Sequence, residues 1–267
     1  MKESLEMDKK LFLKKFKKII DKFSQILQDY IKNPSDENIH DIRVAIRRLE
    51  TAYQVLPKSA RKSEKMRNYV RQAKLLFKLN AKIRDFDIIY AKIESKYQDK
   101  TYELAISLKK SRIEELQNAN ELALKIQDTS VPKIPSDIKK SRLNKRYLKV
   151  LDRIELDIQK NTIIALADEK RIEELHMLRK DFKKLRYSLE LISSKERTAQ
   201  VLKNLKDIQD VLGYIHDSDI IIDYLNSEQS SKYTDIIESE VLERRREYSA
   251  FVLAFKKRKL KTSNFNL

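Results

Sequence analysis

A single glycine, Gly213, and four prolines are the main turn-forming residues of this 267-residue chain. Tight hairpins and phosphate-binding loops use glycine because it tolerates backbone conformations that other residues avoid. A chain this poor in glycine therefore has little material for either. Leu, Ile, Lys, Glu and Arg, which favour helices, dominate the remainder. The sequence predicts an almost wholly α-helical protein.

The balance of charge points to a polyanionic ligand. There are 58 Lys and Arg against 41 Asp and Glu, a formal net charge of +17. A field of this size attracts nucleic acid, anionic membrane or a phosphate polymer, without distinguishing among them. Because 41% of the residues are hydrophobic, the chain can also bury a substantial core.

Several features predict a cytoplasmic protein that does not enter the membrane. The chain has no cysteine, which excludes disulfides and thiolate metal sites and fits a reducing compartment. Its first ten residues lack the apolar core of a signal peptide. Apolar runs such as 163–167 and 220–222 fall far short of the roughly 20 residues that span a bilayer.

Helical periodicity and turn residues divide the chain into two halves. The stretch 128–136 holds two prolines and several capping residues, and we interpret it as a linker between halves 1–127 and 137–267. Five helices are expected in each half of this single domain. They are predicted at 7–32, 36–56, 61–79, 82–97, 100–127, 137–167, 171–194, 197–212, 217–226 and 230–260.

The second and seventh predicted helices repeat one another. Their apolar residues follow the same 3-4-3-4-3 spacing, from Ile39 in one helix and from Leu175 in the other, at a constant offset of 175 − 39 = 136 residues. At that offset His40 matches His176 and Arg43 matches Arg179, whereas Glu50 faces Arg186. The repeat predicts a duplication with pseudo-two-fold symmetry.

Basic residues flank each apolar stripe. We call His40, Arg43 and Arg47 the N-terminal row, and His176, Arg179, Lys183 and Arg186 the C-terminal row. Their spacing of three or four puts successive heads on neighbouring turns, where like charges repel unless an anion neutralises them. Arg offers a planar fork to phosphate oxygens, and a histidine gains charge below about pH 6.5. The two rows are expected to face a shared groove.

A second pair of motifs follows the rows. R-D-F-D-I-I at 84–89 resembles H-D-S-D-I-I at 216–221, so Arg84 stands where the second half has His216. The basic residues Lys74 and Lys206 precede the two motifs at equal spacing. We interpret the paired aspartates as structural groups that orient the basic rows through ion pairs.

These blocks resemble the CHAD family, a helical domain named for its conserved histidines. The resemblance is carried by H-D-I-R-V-A-I-R-R-L at 40–49, L-H-M-L-R-K-D-F-K-K-L-R-Y at 175–187 and the two downstream motifs. It implies two all-α helical bundles with internal pseudo-symmetry and a basic groove that binds inorganic polyphosphate. Carried onto this sequence, and with adjoining basic residues added, the binding set is His40, Arg43, Arg47, Arg48, Lys74, His176, Arg179, Lys180, Lys183, Lys184, Arg186, Tyr187, Lys206 and His216.

The resemblance predicts a binding protein with no catalytic residue, metal or cofactor of its own. It also suggests polyphosphate granules and polyphosphate-metabolising enzymes as its surroundings. Two alternatives stay open. One is binding of single-stranded nucleic acid, which the scarcity of aromatic residues in the rows disfavours. The other is a metal-dependent phosphohydrolase using the His-Asp pairs, for which three histidines supply few ligands. Glu50 makes the N-terminal row the weaker of the two.

Overall fold

The computed structural model describes residues 7–134, 137–192, 195–228 and 231–257. Across these ranges the chain forms nine α-helices, two single-turn 3₁₀ helices and no β-strand, which confirms the predicted all-α fold. The helices are α1 (Lys9–Lys32), α2 (Asp36–Val55), α3 (Lys58–Arg61), α4 (Glu64–Lys96), α5 (Tyr102–Gln127), α6 (Lys140–Ala167), α7 (Ile172–Ile192), α8 (Lys195–Ser227) and α9 (Thr234–Lys257).

Two predicted helix breaks are wrong. Helix α4 runs through 80–81 and α8 runs through 213–216, so each replaces two predicted helices. Asn80 does not end α4 because its fully buried side chain donates to the Leu76 carbonyl and accepts from the Tyr30 hydroxyl. Gly213 costs an α-helix only about 1 kcal/mol, which packing readily offsets. The described chain therefore has five helices before the predicted linker, one of them the four-residue α3, and four after it.

The first compact unit, Met7–Tyr147, contains α1 to α5 and is called the N-terminal unit. Helix α1 packs against α2 and α5, and α4 packs against the same two helices, so the four long helices form a bundle. Its core is built from large side chains on the inward face of each helix. Among those that are 2% exposed or less are Phe12, Phe16, Phe23, Tyr30, Ile42, Leu49, Tyr69 and Leu76.

The second compact unit begins at Leu148 and is called the C-terminal unit. Helix α8 packs against both α7 and α9. Helix α6 is joined to α7 by a hydrogen bond from Asn161 to Asp181, and to α9 by one from the Tyr248 hydroxyl to the Ala165 carbonyl. The boundary between the units falls inside α6, downstream of the predicted linker. The part of that linker that is described, 128–134, is not helical, and residues 135–136 lie outside the described residues.

The first basic helix begins where the sequence predicts. Ser35 caps α2 by accepting a hydrogen bond from the Asn38 backbone N–H at 3.2 Å, and Asp36 and Glu37 occupy the first turn. Acidic side chains at this end interact favourably with the helix dipole. The start of α2, and with it the register of the N-terminal row, is therefore fixed locally. In the part of the chain that is described, no helix is both long and apolar enough to cross a membrane.

Candidate functional site

The N-terminal row lies beside a fully buried stripe on α2. Ile39, Ile42 and Ile46 have no exposed surface, whereas His40 is exposed and Arg43 and Arg47 are half-buried. Arg48 is also exposed. The stripe fixes the rotation of the helix, and the row follows from that rotation because it stands one position along.

Phe77 on α4 holds the two arginines of this row. The Arg43 guanidinium lies 4.2 Å from the ring centroid and that of Arg47 lies 4.9 Å from it. Arg43 also donates from Nη1 to the Phe77 carbonyl at 2.9 Å. Cation–π contacts of this kind contribute about 0.5–1 kcal/mol at exposed sites. Two guanidinium groups are therefore held on one aromatic ring, which the sequence reading missed because Phe77 fits the periodicity of a core residue.

Glu50, the residue predicted to weaken the N-terminal row, forms an ion pair in the structure. Lys74, a predicted binding residue on α4, has its Nζ 3.6 Å from a carboxylate oxygen of Glu50 on α2. This ion pair offsets one positive charge beside the row. In the C-terminal unit the matching residues are Arg186 and Lys206, both basic.

The C-terminal row lies on α7 over a similar stripe. Leu175, Leu178 and Phe182 are at most 2% exposed, and the row itself is half-buried along its length. Lys180 and Lys184 are half-buried as well. Half-burial strengthens the field of these cations because less water screens them.

Lys184 forms an ion pair with Asp181. This aspartate is fully buried, accepts from Lys184 Nζ at 2.8 Å, and accepts from the Asn161 amide at 2.8 Å. The matching position on α2 is Ala45, so the contact has no equivalent there. Lys184 thus serves first as the partner of a buried carboxylate.

Arg186 is positioned by its neighbours. Its Nη2 donates to the Tyr187 hydroxyl at 3.3 Å, and its guanidinium carbon lies 5.0 Å from the Tyr187 ring centroid. Its Nε is also 3.9 Å from Glu190. Tyr187, predicted as a neutral donor to the ligand, is only 4% exposed. In the structure its hydroxyl and its ring both contact Arg186.

The one glycine of the chain lies against Arg179. A Cβ atom placed on Gly213 would stand 3.9 Å from Arg179 Nε and 4.0 Å from Nη2, which is ordinary van der Waals contact. The Arg179 side chain therefore crosses α8 where that helix has no side chain. In the first half the matching residue of the motif is Ala81.

His176 on α7 and His216 on α8 are in direct contact. Their Nδ1 atoms are 3.1 Å apart and their ring centroids are separated by 4.3 Å. At this distance one Nδ1 carries a hydrogen and the other accepts it. The structure thus brings together two predicted site residues that are 40 positions apart in the chain.

The surroundings of His216 keep its ring neutral. Burial, followed by the positive charges of Arg179, His176, Lys183 and Lys180, lowers the pKa of His216 from 6.5 to about 2. His216 is therefore uncharged near neutral pH in the protein alone, as the low pKa requires. Burial makes the largest contribution to this lowered pKa, and the nearby cations add to it.

One arginine outside the rows connects each basic helix to another helix of its own unit. Arg112 on α5 donates to Asp87 at 2.6 Å and to the Pro34 carbonyl at 2.8 Å, just before α2 begins. Arg244 on α9 pairs with Asp219 in the same way and donates to the Glu169 carbonyl at 2.8 Å, just before α7. Both arginines follow their aspartate by 25 positions. We call these contacts the arginine staples.

The staples change the interpretation that the aspartates form ion pairs with the basic rows. Asp87 and Asp219 lie within α4 and α8, and their ion-pair partners are Arg112 and Arg244, which are not in those rows. Burial raises the pKa of Asp87 and of Asp219, while the hydrogen bond from the arginine opposes that rise in each case. The shared spacing of 25 was the available sequence signal for Arg112 and Arg244.

Lys206, the remaining residue of the predicted binding set, is exposed on α8. Arg84, which matches His216 in the first half, is half-buried on α4. The shared groove stays a prediction, and each row is described within its own unit. Among the described residues, no cluster of three or more His, Asp or Glu side chains could hold a metal ion.

Comparison with known proteins identifies the family. A model of the CHAD domain matches residues 15–226, and the chain therefore belongs to the CHAD family. The fold is also similar to the crystal structure of the CHAD domain from the plant Ricinus communis, with a TM-score of 0.60 and 17% identity. That match covers 96% of this chain and 89% of the plant domain. No curated protein matches the chain significantly.

Proposed function

We propose that this CHAD protein binds inorganic polyphosphate through its two basic rows and does not cleave it. The observation that carries the proposal is the C-terminal row, where burial, together with the positive charges of half-buried Arg179, Lys180 and Lys183, keeps His216 neutral. A repetitive anion would relieve this repulsion along the helix. A cytoplasmic location, contact with polyphosphate granules and polyphosphate-metabolising enzymes as partners belong to the same proposal.

The aromatic residues near the rows favour a phosphate polymer over single-stranded nucleic acid. Nucleic-acid strands are held by stacking bases on accessible aromatic faces. Phe77 already carries Arg43 and Arg47 on its ring, and Tyr187 is buried. A base could stack on either ring only by displacing protein groups.

The proposal is tested by binding of long-chain polyphosphate to Arg179→Ala/Lys183→Ala/Arg186→Ala. The affinity should fall at least about 100-fold, and the slope of log K against log salt should fall by about 2, because each lost phosphate contact removes about 0.7–0.9. Circular dichroism should show unchanged helicity. A triple variant that binds like wild type rules out the row.

The matched control removes the same charge elsewhere. Lys10, Lys14 and Lys18 are exposed on α1. Replacing all three by alanine lowers the net charge equally but should change affinity less than about threefold, because these lysines belong to neither row and exposed charges are screened by salt. An equal loss in both variants would mean that net charge, rather than the row, binds the polymer.

Competition separates the nucleic-acid alternative. Single-stranded RNA of equal total charge should displace bound polyphosphate much less effectively at moderate salt. Equal displacement would favour a general polyanion or nucleic-acid function. The phosphohydrolase alternative is checked by assaying phosphate release with divalent metal, and release that disappears in His216→Ala would contradict a non-catalytic role.

A further inference from the structure

The contact between His176 and His216 has a chemical consequence for ligand binding. With Nδ1 atoms 3.1 Å apart, the pair shares one hydrogen between the two nitrogens. A single proton added to Nε2 of the donor ring leaves this hydrogen bond intact and gives the pair one positive charge, whereas Nε2 of the accepting ring already carries its hydrogen. The pair is therefore a proton acceptor placed beside the C-terminal row.

The first half has no such acceptor at the matching place. Its motif carries Arg84 where the second half carries His216. An arginine is protonated at every physiological pH, whereas a histidine changes charge within the range that proteins experience. The N-terminal unit therefore has a permanent cation, Arg84, at the position where the C-terminal unit has a titratable group, His216.

Charged groups lie on the helices that carry the histidine pair and on the helix that packs against them. Helix α7 contributes Arg179, Lys180 and Lys183, all of which oppose protonation. On α8 itself Asp217 and Asp219 are the nearest carboxylates in sequence, and Asp219 is paired with Arg244 of α9. Helix α9 also contributes Glu240, which accepts a hydrogen bond from Ser218.

We propose that His216, within the His176–His216 pair, takes up a proton when a polyanion binds the C-terminal row, so that affinity rises as pH falls. This inference rests on the proposed function and adds its regulation. The phosphates would neutralise the cations of α7 that now hold the proton off, and a nearby negative charge favours the protonated ring directly. The histidine would then contribute a cation that the unliganded protein does not have.

The direction of the pH effect follows from linkage. Burial and the α7 cations hold the pKa of His216 at about 2 in the free protein, and a bound anion raises it. Extra affinity is therefore present below the bound-state pKa and is lost as pH rises through it. If the bound-state pKa returns to its ordinary value, affinity should be about tenfold higher at pH 5.5 than at pH 7.5.

Proton uptake is measured directly by calorimetry. Long-chain polyphosphate is titrated into the full chain at pH 6.0 in two phosphate-free buffers of different ionisation enthalpy. The difference in apparent enthalpy should correspond to uptake of about 0.3–1 proton per binding event. Long chains are used because end groups, which themselves titrate near neutral pH, are then a small fraction of the phosphates.

Two variants assign the proton to His216. His216→Arg copies the first half, and it should bind more tightly than wild type at pH 7.5 with proton uptake near zero. His216→Asn cannot become a cation, so it should lose both the uptake and the gain in affinity at pH 5.5. As a control, Tyr214→Ala changes an exposed residue two positions away on α8 and should keep the uptake of wild type.

Each outcome has a separate meaning. Tight binding without uptake in wild type overturns the inference and leaves the proposed function standing. Equal uptake in wild type and His216→Asn also overturns it, because the proton must then go elsewhere. No binding at pH 7.5 and low salt overturns the proposed function itself, and the inference with it.

Discussion

The charged groups beside the basic helix differ between the two units. In the N-terminal unit Glu50 pairs with Lys74, and two arginines share the ring of Phe77. In the C-terminal unit Arg186 stands in place of Glu50, and two histidines meet where the cations are densest. Similar helices with similar apolar stripes therefore support rows with different edges: Glu50 offsets the charge of Lys74 beside the N-terminal row, whereas Arg186 adds a positive charge to the C-terminal row, 3.9 Å from Glu190. The register of a row is set by the core, whereas its charge is set by single residues at its edge.

The largest expected effect concerns the arginine staples, which the two units share. Arg244→Ala should destabilise the protein by about 3–5 kcal/mol, because it leaves the carboxylate of Asp219 buried without its partner. Arg112→Ala should cost a similar amount, since the Asp87 side chain is 6% exposed and that of Asp219 is 11% exposed. Urea unfolding measures both free energies. Adding Asp219→Asn to Arg244→Ala should recover part of the loss, and no recovery would mean that the buried charge is not the cause.

Exchanging the residues that distinguish the two rows should shift polyphosphate affinity in opposite directions. Arg186→Glu reverses one charge beside the C-terminal row and should lower affinity about 30-fold, or about 2 kcal/mol. Glu50→Arg adds charge to the N-terminal row and releases Lys74, so affinity should rise about tenfold. Titrations at one fixed salt concentration measure both. Changes of the same sign would show that the two rows do not act alike.

A smaller effect is expected at Phe77, whose ring contacts two arginines of the N-terminal row. Phe77→Leu keeps an apolar side chain but removes the surface on which Arg43 and Arg47 lie, which should lower affinity about threefold. Leu75→Ala changes an exposed residue of the same helix and serves as the control. Affinity that is equal in both variants would mean that the ring contacts do not organise the row.

The smallest effect concerns the glycine position. Gly213→Ala should stabilise the protein by about 0.5–1 kcal/mol, because Gly213 is helical and a new Cβ would make only ordinary contacts with Arg179. Ala81→Gly at the matching place should cost a similar amount. Thermal unfolding of both variants tests this symmetry. A destabilising Gly213→Ala would show that Arg179 needs the space that glycine leaves.

Periodic features could be predicted from the sequence, and individual contacts could not. The apolar stripes of α2 and α7 fix the basic rows, since a side chain's position on a helix follows from its number alone. The helix breaks at 80–81 and 213–216 were predicted wrongly because Asn80 and Gly213 suit a turn as well as a packed helix. Local propensity does not decide between those outcomes, and tertiary packing does.

Side-chain contacts between different helices could not be predicted from the sequence either. The His176–His216 contact joins helices whose relative rotation no single-helix pattern supplies, and the same holds for Phe77 beneath Arg43. The arginine staples were closer to being predictable, because Arg112 and Arg244 follow their aspartates at the same distance. A repeat search that included isolated residues as well as dense blocks would find them.

The staples also bear on how each unit opens. Arg112 joins α5 to a carbonyl 78 positions earlier, and Arg244 joins α9 to one 75 positions earlier. The first turn of each basic helix is thus tied to the last helix of its unit. Amide hydrogens in the first turns of α2 and α5 should then exchange with solvent at linked rates, and those of α7 and α9 likewise, as cooperative opening units rather than as fraying ends.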